Sequence, residues 1–253
     1  MFHQVRLRYL ASVFVDAASI RPSPQQIADV MRILSSEDLL PFSIQQMGPE
    51  GVIPRMGFQS GSGEWRVLVL GERFDVSHHP TSVTASNMVG FADFCATAAA
   101  KLSALLEHFR RKAHRLAAVQ EGFLPEMSPD GQKAILEKLM LLPPVFRQHS
   151  PFEWDWRVAS VVPRLIVGEE EKCNTILTVK RSAGRFHPPE GDEVAFDRIR
   201  ADIDVNTAPD NTGARFGERE VADFCARVPT WHKEVGEEFM RFVGLEAECG
   251  EEA

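Results

Sequence analysis

The pentapeptide Ala-Asp-Phe-Cys-Ala occurs twice in this chain, at 92–96 and at 222–226, and each copy lies inside a long stretch with helical apolar spacing. In the first stretch, expected as a helix from near Asn87 to about Arg111, Phe91, Phe94, Cys95, Ala98, Leu102, Leu105, Leu106 and Phe109 recur at intervals of three and four. In the second, Val221, Phe224, Cys225, Val228, Val235, Phe239 and Phe242 form the stripe. Such spacing marks one face of an amphipathic helix. The displacement that superposes the pentapeptides also pairs Leu105 with Val235 and Phe109 with Phe239, so the stripe continues in register.

The echo extends upstream. The segment VRLRYLASVF from Val5 is matched weakly by HRLAAVQEGF from His114, and each is followed by a Ser-Pro step, Ser23-Pro24 and Ser128-Pro129. Serine before a proline at the first helical position is a helix start. Ile27, Val30, Met31 and Leu34 follow the first cap; Ile135, Leu136, Leu139 and Met140 follow the second, which Pro143-Pro144 stops. Each half therefore reads as strand, capped helix, antiparallel strands and long amphipathic helix. The expected fold is α+β with two pseudo-repeated lobes, each an antiparallel sheet packed by a capped helix and a long amphipathic helix. Residues 1–112 form the first lobe, 113–244 the second and 245–253 an acidic tail. Duplication would make the groove between the lobes the natural binding location.

The intervening strands are marked by alternation and turn residues. Trp65, Val67 and Val69 alternate with Arg66 after the Ser60-Gly61-Ser62-Gly63 turn, and Gly71 leads into Phe74 and Val76. Trp154, Trp156 and Val158 alternate with Asp155 and Arg157, and further strands are expected over 175–181 and 198–205. Loops rich in Gly, Pro, Asp and Asn span 184–193 and 206–217. Pro229 is expected to kink or split the last helix.

Composition supplies the exclusions. The 253 residues are 44% hydrophobic and 25% charged, which rules out a disordered or collagenous chain. Basic residues number 28 against 36 acidic, a net charge of −8, so a general nucleic-acid coat is excluded and only a local basic face remains for such a role. The first residues imitate a leader, but Asp16 cuts the apolar run short and Val5, Leu7 and Tyr9 alternate with Arg6 and Arg8, as in a strand. No stretch has the apolar length of a membrane helix. Cys95, Cys173, Cys225 and Cys249 are scattered without a CxxC pair, so buried reduced thiols and a cytoplasmic location are expected.

On Trp65-Arg66-Val67-Leu68-Val69, Phe91 with Phe94, Arg115-Leu116 and Asp202-Ile203-Asp204, the chain resembles a sporadically distributed bacterial family of uncharacterised two-lobed α+β proteins of similar length. The resemblance implies a bacterial accessory protein, from a mobile or defence gene neighbourhood, and carries over no catalytic residue.

Several constellations could carry chemistry. Asp202 and Asp204 share a strand face and could hold a hard cation, although Arg198 and Arg200 on the same face suit local charge compensation. Asp155 with Glu170 and Lys172 imitates the carboxylate and lysine set of a metal-dependent nuclease, whereas the polar run 169–172 after Gly168 also suits a hairpin tip. His78-His79 could ligate a metal or serve as a base, but an exposed strand end accounts for them. No phosphate-binding glycine loop or nucleophile elbow is present. The expectation is a non-enzymatic accessory protein without a cofactor that binds a protein partner in a defence or regulatory complex. Its candidate contact residues are Arg110, Arg111, Lys112, Arg115, Asn211 and Arg215. The competing readings are a metal-dependent hydrolase or nuclease and a local nucleic-acid binder through the basic helix end.

Overall fold

The serine caps and the period-two strands are realised in a computed structural model that describes residues 2–34, 38–48, 51–81, 88–149, 151–186 and 194–245. Chain order is β1 (Val5–Phe14), α1 (Pro24–Ile33), β2 (Leu40–Gly48), β3 (Gly51–Gln59), β4 (Trp65–Val69), β5 (Arg73–His78), α2 (Phe91–His108), β6 (Arg115–Phe123), α3 (Pro129–Leu139), α4 (Pro144–Gln148), β7 (Asp155–Ile166), β8 (Glu169–Phe186), β9 (Val194–Thr207) and α5 (Glu218–Val243). Ser23 Oγ accepts a hydrogen bond from the Gln26 amide, and Ser128 Oγ accepts one from Gly131, so both Ser-Pro steps start helices as expected.

The described strands form one antiparallel sheet in the order β2-β3-β4-β5-β1-β6-β9-β8-β7. The architecture is thus α+β, but the halves are not set apart by a groove through the sheet. β1 pairs with β6 from Val5 opposite Phe123 to Phe14 opposite Arg115, with one irregularity between Arg6 and Arg8. The expected boundary near residue 112 falls in the α2–β6 connection of a continuous sheet. Two strands that would otherwise present unpaired amides and carbonyls satisfy each other along this seam.

The long helices α2 and α5 pack together on one face of the sheet. Phe94, Leu102 and Leu105 of α2 and Phe224, Val228 and Phe239 of α5 are buried with Tyr9, Ala11, Val13, Leu116, Ala118, Ile203 and Val205 from the strands beneath. Each large apolar side chain withdrawn from water this way contributes about 1.5–3 kcal/mol before entropy is charged against it. The outer cleft between the helices is lined by Ala92, Ala96, Ala99, Ala222, Cys225 and Ala226, so the two pentapeptides occupy opposite walls. Small side chains there let the helices approach closely.

Four local expectations shift. α5 runs unbroken through Pro229. The β7–β8 hairpin turns at Val167-Gly168, both with positive φ, so residues 169–172 belong to a strand rather than to the tip. α2 starts at Phe91, and Asn87, where its start was expected, lies outside the described residues. His78 is not an exposed strand end: β5 lies between β1 and β4, and the imidazole is buried between Trp65, at 4.5 Å, and Tyr9, at 6.5 Å. Trp154 is buried and Trp156 is partly covered, both on the core side. Cys95, Cys173 and Cys225 are free and buried, with the thiols of Cys173 and Cys225 pushed up by burial to about 11 and about 12. Cys249, the tail beyond residue 245 and most of the loop 184–193 lie outside the described residues. No described helix is long and apolar enough to cross a membrane.

Candidate functional site

Strand alternation puts every second side chain of β5, β1, β6, β9 and β8 on the face opposite α2 and α5, and there the sequence supplies polar residues. They form three hydrogen-bonded groups. On β5 the Asp75 carboxylate accepts from Ser12 Oγ at 2.6 Å and from Arg73 Nε at 2.9 Å. At the seam Glu121 takes Arg8 and, at 2.8 Å, Arg200, whose Nε also reaches Asp202 at 2.8 Å. Asn206 donates to Asp204 at 2.9 Å and accepts from Arg115 at 2.9 Å and from Asn174 at 3.1 Å.

Burial raises the carboxyls of Asp75, Asp202 and Asp204 above the usual carboxylate range, outweighing the hydrogen bonds from Ser12, Arg200 and Asn206 that pull the other way. The expected compensation between Arg200 and Asp202 is present, on a half-withdrawn face. Asp202 turns to Arg200 and Asp204 to Asn206, so this pair of carboxylates does not converge on a common point. Among the described residues no group of three or more His, Cys, Asp or Glu side chains is placed to hold a metal ion.

The Asp155, Glu170 and Lys172 set is corrected by the β7–β8 register. Asp155 lies opposite Lys180, while Glu170 lies opposite Leu165 and Lys172 opposite Pro163. Asp155 is thus ten residues along the strand from the position facing Glu170, roughly 33 Å at the usual rise per residue. A long hairpin separates its two ends, and sequence proximity to Gly168 concealed that length.

The six contact candidates meet at one end of the sheet. The turn after α2 and the loop before α5 are joined by an Ala113–Phe216 bridge, with the Phe216 and Arg215 amides donating to the Ala113 carbonyl. Arg215 lies on the Phe216 ring at 4.2 Å and holds Glu171 through Nε at 2.8 Å and Nη2 at 3.0 Å. It also bonds the His114 and Asn211 carbonyls, while Asn211 Oδ1 accepts from the Gly213 amide. Arg115 lies over the Phe14 ring at 4.7 Å, and Arg111 donates to Ser19 Oγ at 3.1 Å.

Glu171 neutralises Arg215, but Arg110 and Lys112 are exposed and make no ion pair among the described residues. The His114 imidazole registers the local field: burial, then Arg215 and Arg115, lower its pKa. Arg110 also occupies a left-handed conformation, φ 52°, immediately after the helix, where glycine avoids the Cβ clash. The sequence singled out the cations but carried no sign of this backbone conformation. No protein-family model matches the chain, and neither the curated proteins nor the solved structures yield a match.

Proposed function

We propose that this chain is a non-catalytic bacterial accessory protein that binds an acidic surface of a protein partner through Arg110, Arg111, Lys112 and Arg115, with Asn211 and Arg215 shaping the adjoining loop. The observation that carries this reading is Arg110, an exposed cation without an ion pair among the described residues, kept at a strained position where glycine costs less. Backbone strain that a simpler residue would relieve is retained most readily where the side chain is used. The basic end of a chain with net charge −8 also gives it a pole that steers an acidic partner.

Duplication of one strand-helix-strands-helix unit belongs to the same proposal. Outward from the seam the first half runs β1, β5, β4, β3, β2 and the second runs β6, β9, β8, β7, so each first strand neighbours the last strand of its own half. Arg73 bonds Asp75 on β5 and Arg200 bonds Asp202 on β9; Asp75 lies opposite Ser12 of β1, and Asp202 opposite Glu121 of β6. The halves have diverged in the core, where Phe94 meets Tyr9, Trp65 and Phe91 but Phe224 meets Trp231.

The test uses two variants of the full chain purified from its native host. Arg110→Gly is expected to stabilise the fold by about 1 kcal/mol, the usual penalty for a non-glycine left-handed residue, while weakening retention of a stoichiometric protein. Arg110→Glu with Lys112→Glu is expected to abolish that retention at an unchanged thermal midpoint. Retention of nucleic acid that falls steeply with salt, or a protein partner indifferent to both variants, contradicts the proposal.

A further inference from the structure

Among the described residues no strand pairs with the outer edge of β7. The Trp154 carbonyl accepts from the Arg181 amide, so residues of that parity turn their backbone groups to β8. Arg157, Ala159, Val161 and Leu165, of the opposite parity, turn theirs away from the sheet. Pro163 has this outward parity too, which places its missing N–H where β8 loses nothing. β8 backs all twelve residues of β7, and β9 backs β8.

The edge is also apolar. Residues 158–162 carry no charge, and Val158, Val161 and Leu165 are 41%, 61% and 53% exposed. Phe242 of α5, 58% exposed, continues the patch across a groove that Trp156, Val158 and Val162 line from the strand side. Natural sheet edges are usually guarded by charge along their middle, and an unguarded one templates pairing.

We infer that β7 pairs antiparallel with β7 of a second copy of this chain, about a two-fold axis at Ser160. That register sets Ala159 against the partner's Val161 and Val161 against the partner's Ala159, two reciprocal positions at which outward amides and carbonyls exchange hydrogen bonds. Pro163 falls at the ladder ends, opposite Arg157. Arg164 meets the partner's Trp156 across the strands, Val158 meets the partner's Val162, and no two like charges face each other. Like-with-like pairing closes after two copies, whereas joining β7 to the opposite edge, β2, would propagate a fibre. β2 is the weaker template, since only Met56–Gln59 of its neighbour β3 are paired to β4 and the rest of that hairpin has no third strand behind it among the described residues.

Sedimentation and light scattering of the full chain at micromolar concentration are expected to give twice the 28.3 kDa chain mass. Ala159→Pro removes an outward amide without touching the β8 ladder and is expected to halve the mass and to abolish the concentration dependence of the thermal midpoint. Val161→Lys, which alters only an exposed side chain, is expected to do the same and decides the matter if the proline variant fails to fold. A monomeric parent chain, or a dimer that survives Val161→Lys, overturns the pairing.

Discussion

His3 and His232 are histidines that the fold holds neutral. Each Nε2–H donates to a backbone carbonyl, His3 to Ala201 at 2.8 Å and His232 to Ala118 at 3.2 Å, which leaves both Nδ1 atoms buried and without a hydrogen-bond partner among the described residues. Burial dominates their titration and lowers the pKa values to about 4 and about 3; Arg6 and Arg200 add to the effect at His3, and His3 adds to it at His232. In the unfolded chain both rings take up protons below about 6.5. The unfolded state therefore binds more protons between that pH and the folded values, and stability is lost as pH falls through the interval. The two shifts imply losses of about 3 and about 5 kcal/mol by the time the folded values are reached. Asp75, Asp202 and Asp204, raised in the fold, act in the opposite direction from the usual aspartate value upward, so the histidine contribution between about pH 6.5 and pH 4 is read as the difference between the parent chain and His232→Gln. Urea midpoints across that interval should decline steadily, and the decline should shrink in His232→Gln; a flat profile would show that the rings are not buried neutral.

At the scale of elements, the β7–β8 hairpin joins two long strands through an ill-suited residue. Val167 and Gly168 have φ of 52° and 86°, the positive pair of a mirror-image two-residue turn, which favours Asn-Gly. A β-branched residue in that conformation is strained. Its amide donates to the Asp223 carboxylate of α5 at 2.7 Å, a contact any residue at this position keeps. Val167→Asn is expected to stabilise the protein by about 1 kcal/mol, read as a higher midpoint in urea; destabilisation would mean that the Val167 methyl groups contribute more packing than the turn loses in strain. The same hairpin marks how far the sequence was legible. Alternation at Trp154, Trp156 and Val158 signalled a strand, and the Ser23 and Ser128 caps signalled helices, because both depend on local chemistry. Strand length and neighbours depend on the partner strand, so β7 extended to Ile166 and the hairpin tip moved two residues. His78 went from an apparent strand end to the interior for the same reason. The polar face of β9 alternates identically whether it meets water or neighbouring polar side chains such as Glu121 and Asn174, so its partial burial had no local signature.

For the whole molecule, the seam between β1 and β6 decides whether the halves are folding units. Cutting there exposes two strand edges that now satisfy each other from Val5–Phe123 to Phe14–Arg115. It also separates α2 from α5, its most extensive helical neighbour, and parts Phe91 from His232, whose rings lie 4.7 Å apart. Leu116, Ala118, Phe224 and Val228 would lose their cover on one side. A half-chain near 110 to 130 residues is large enough to fold in principle, but here each would carry an unguarded central edge and one uncovered helix flank. Residues 1–112 and 113–245, produced separately, are therefore expected to lack a cooperative thermal transition and to regain one when mixed in equal amounts, with the near-ultraviolet dichroism of the intact chain. The ladder and the helix pair would then be one cooperative unit. Independent cooperative unfolding of either fragment would instead mean that each half buries enough on its own, and that the shared sheet is a contact between finished domains.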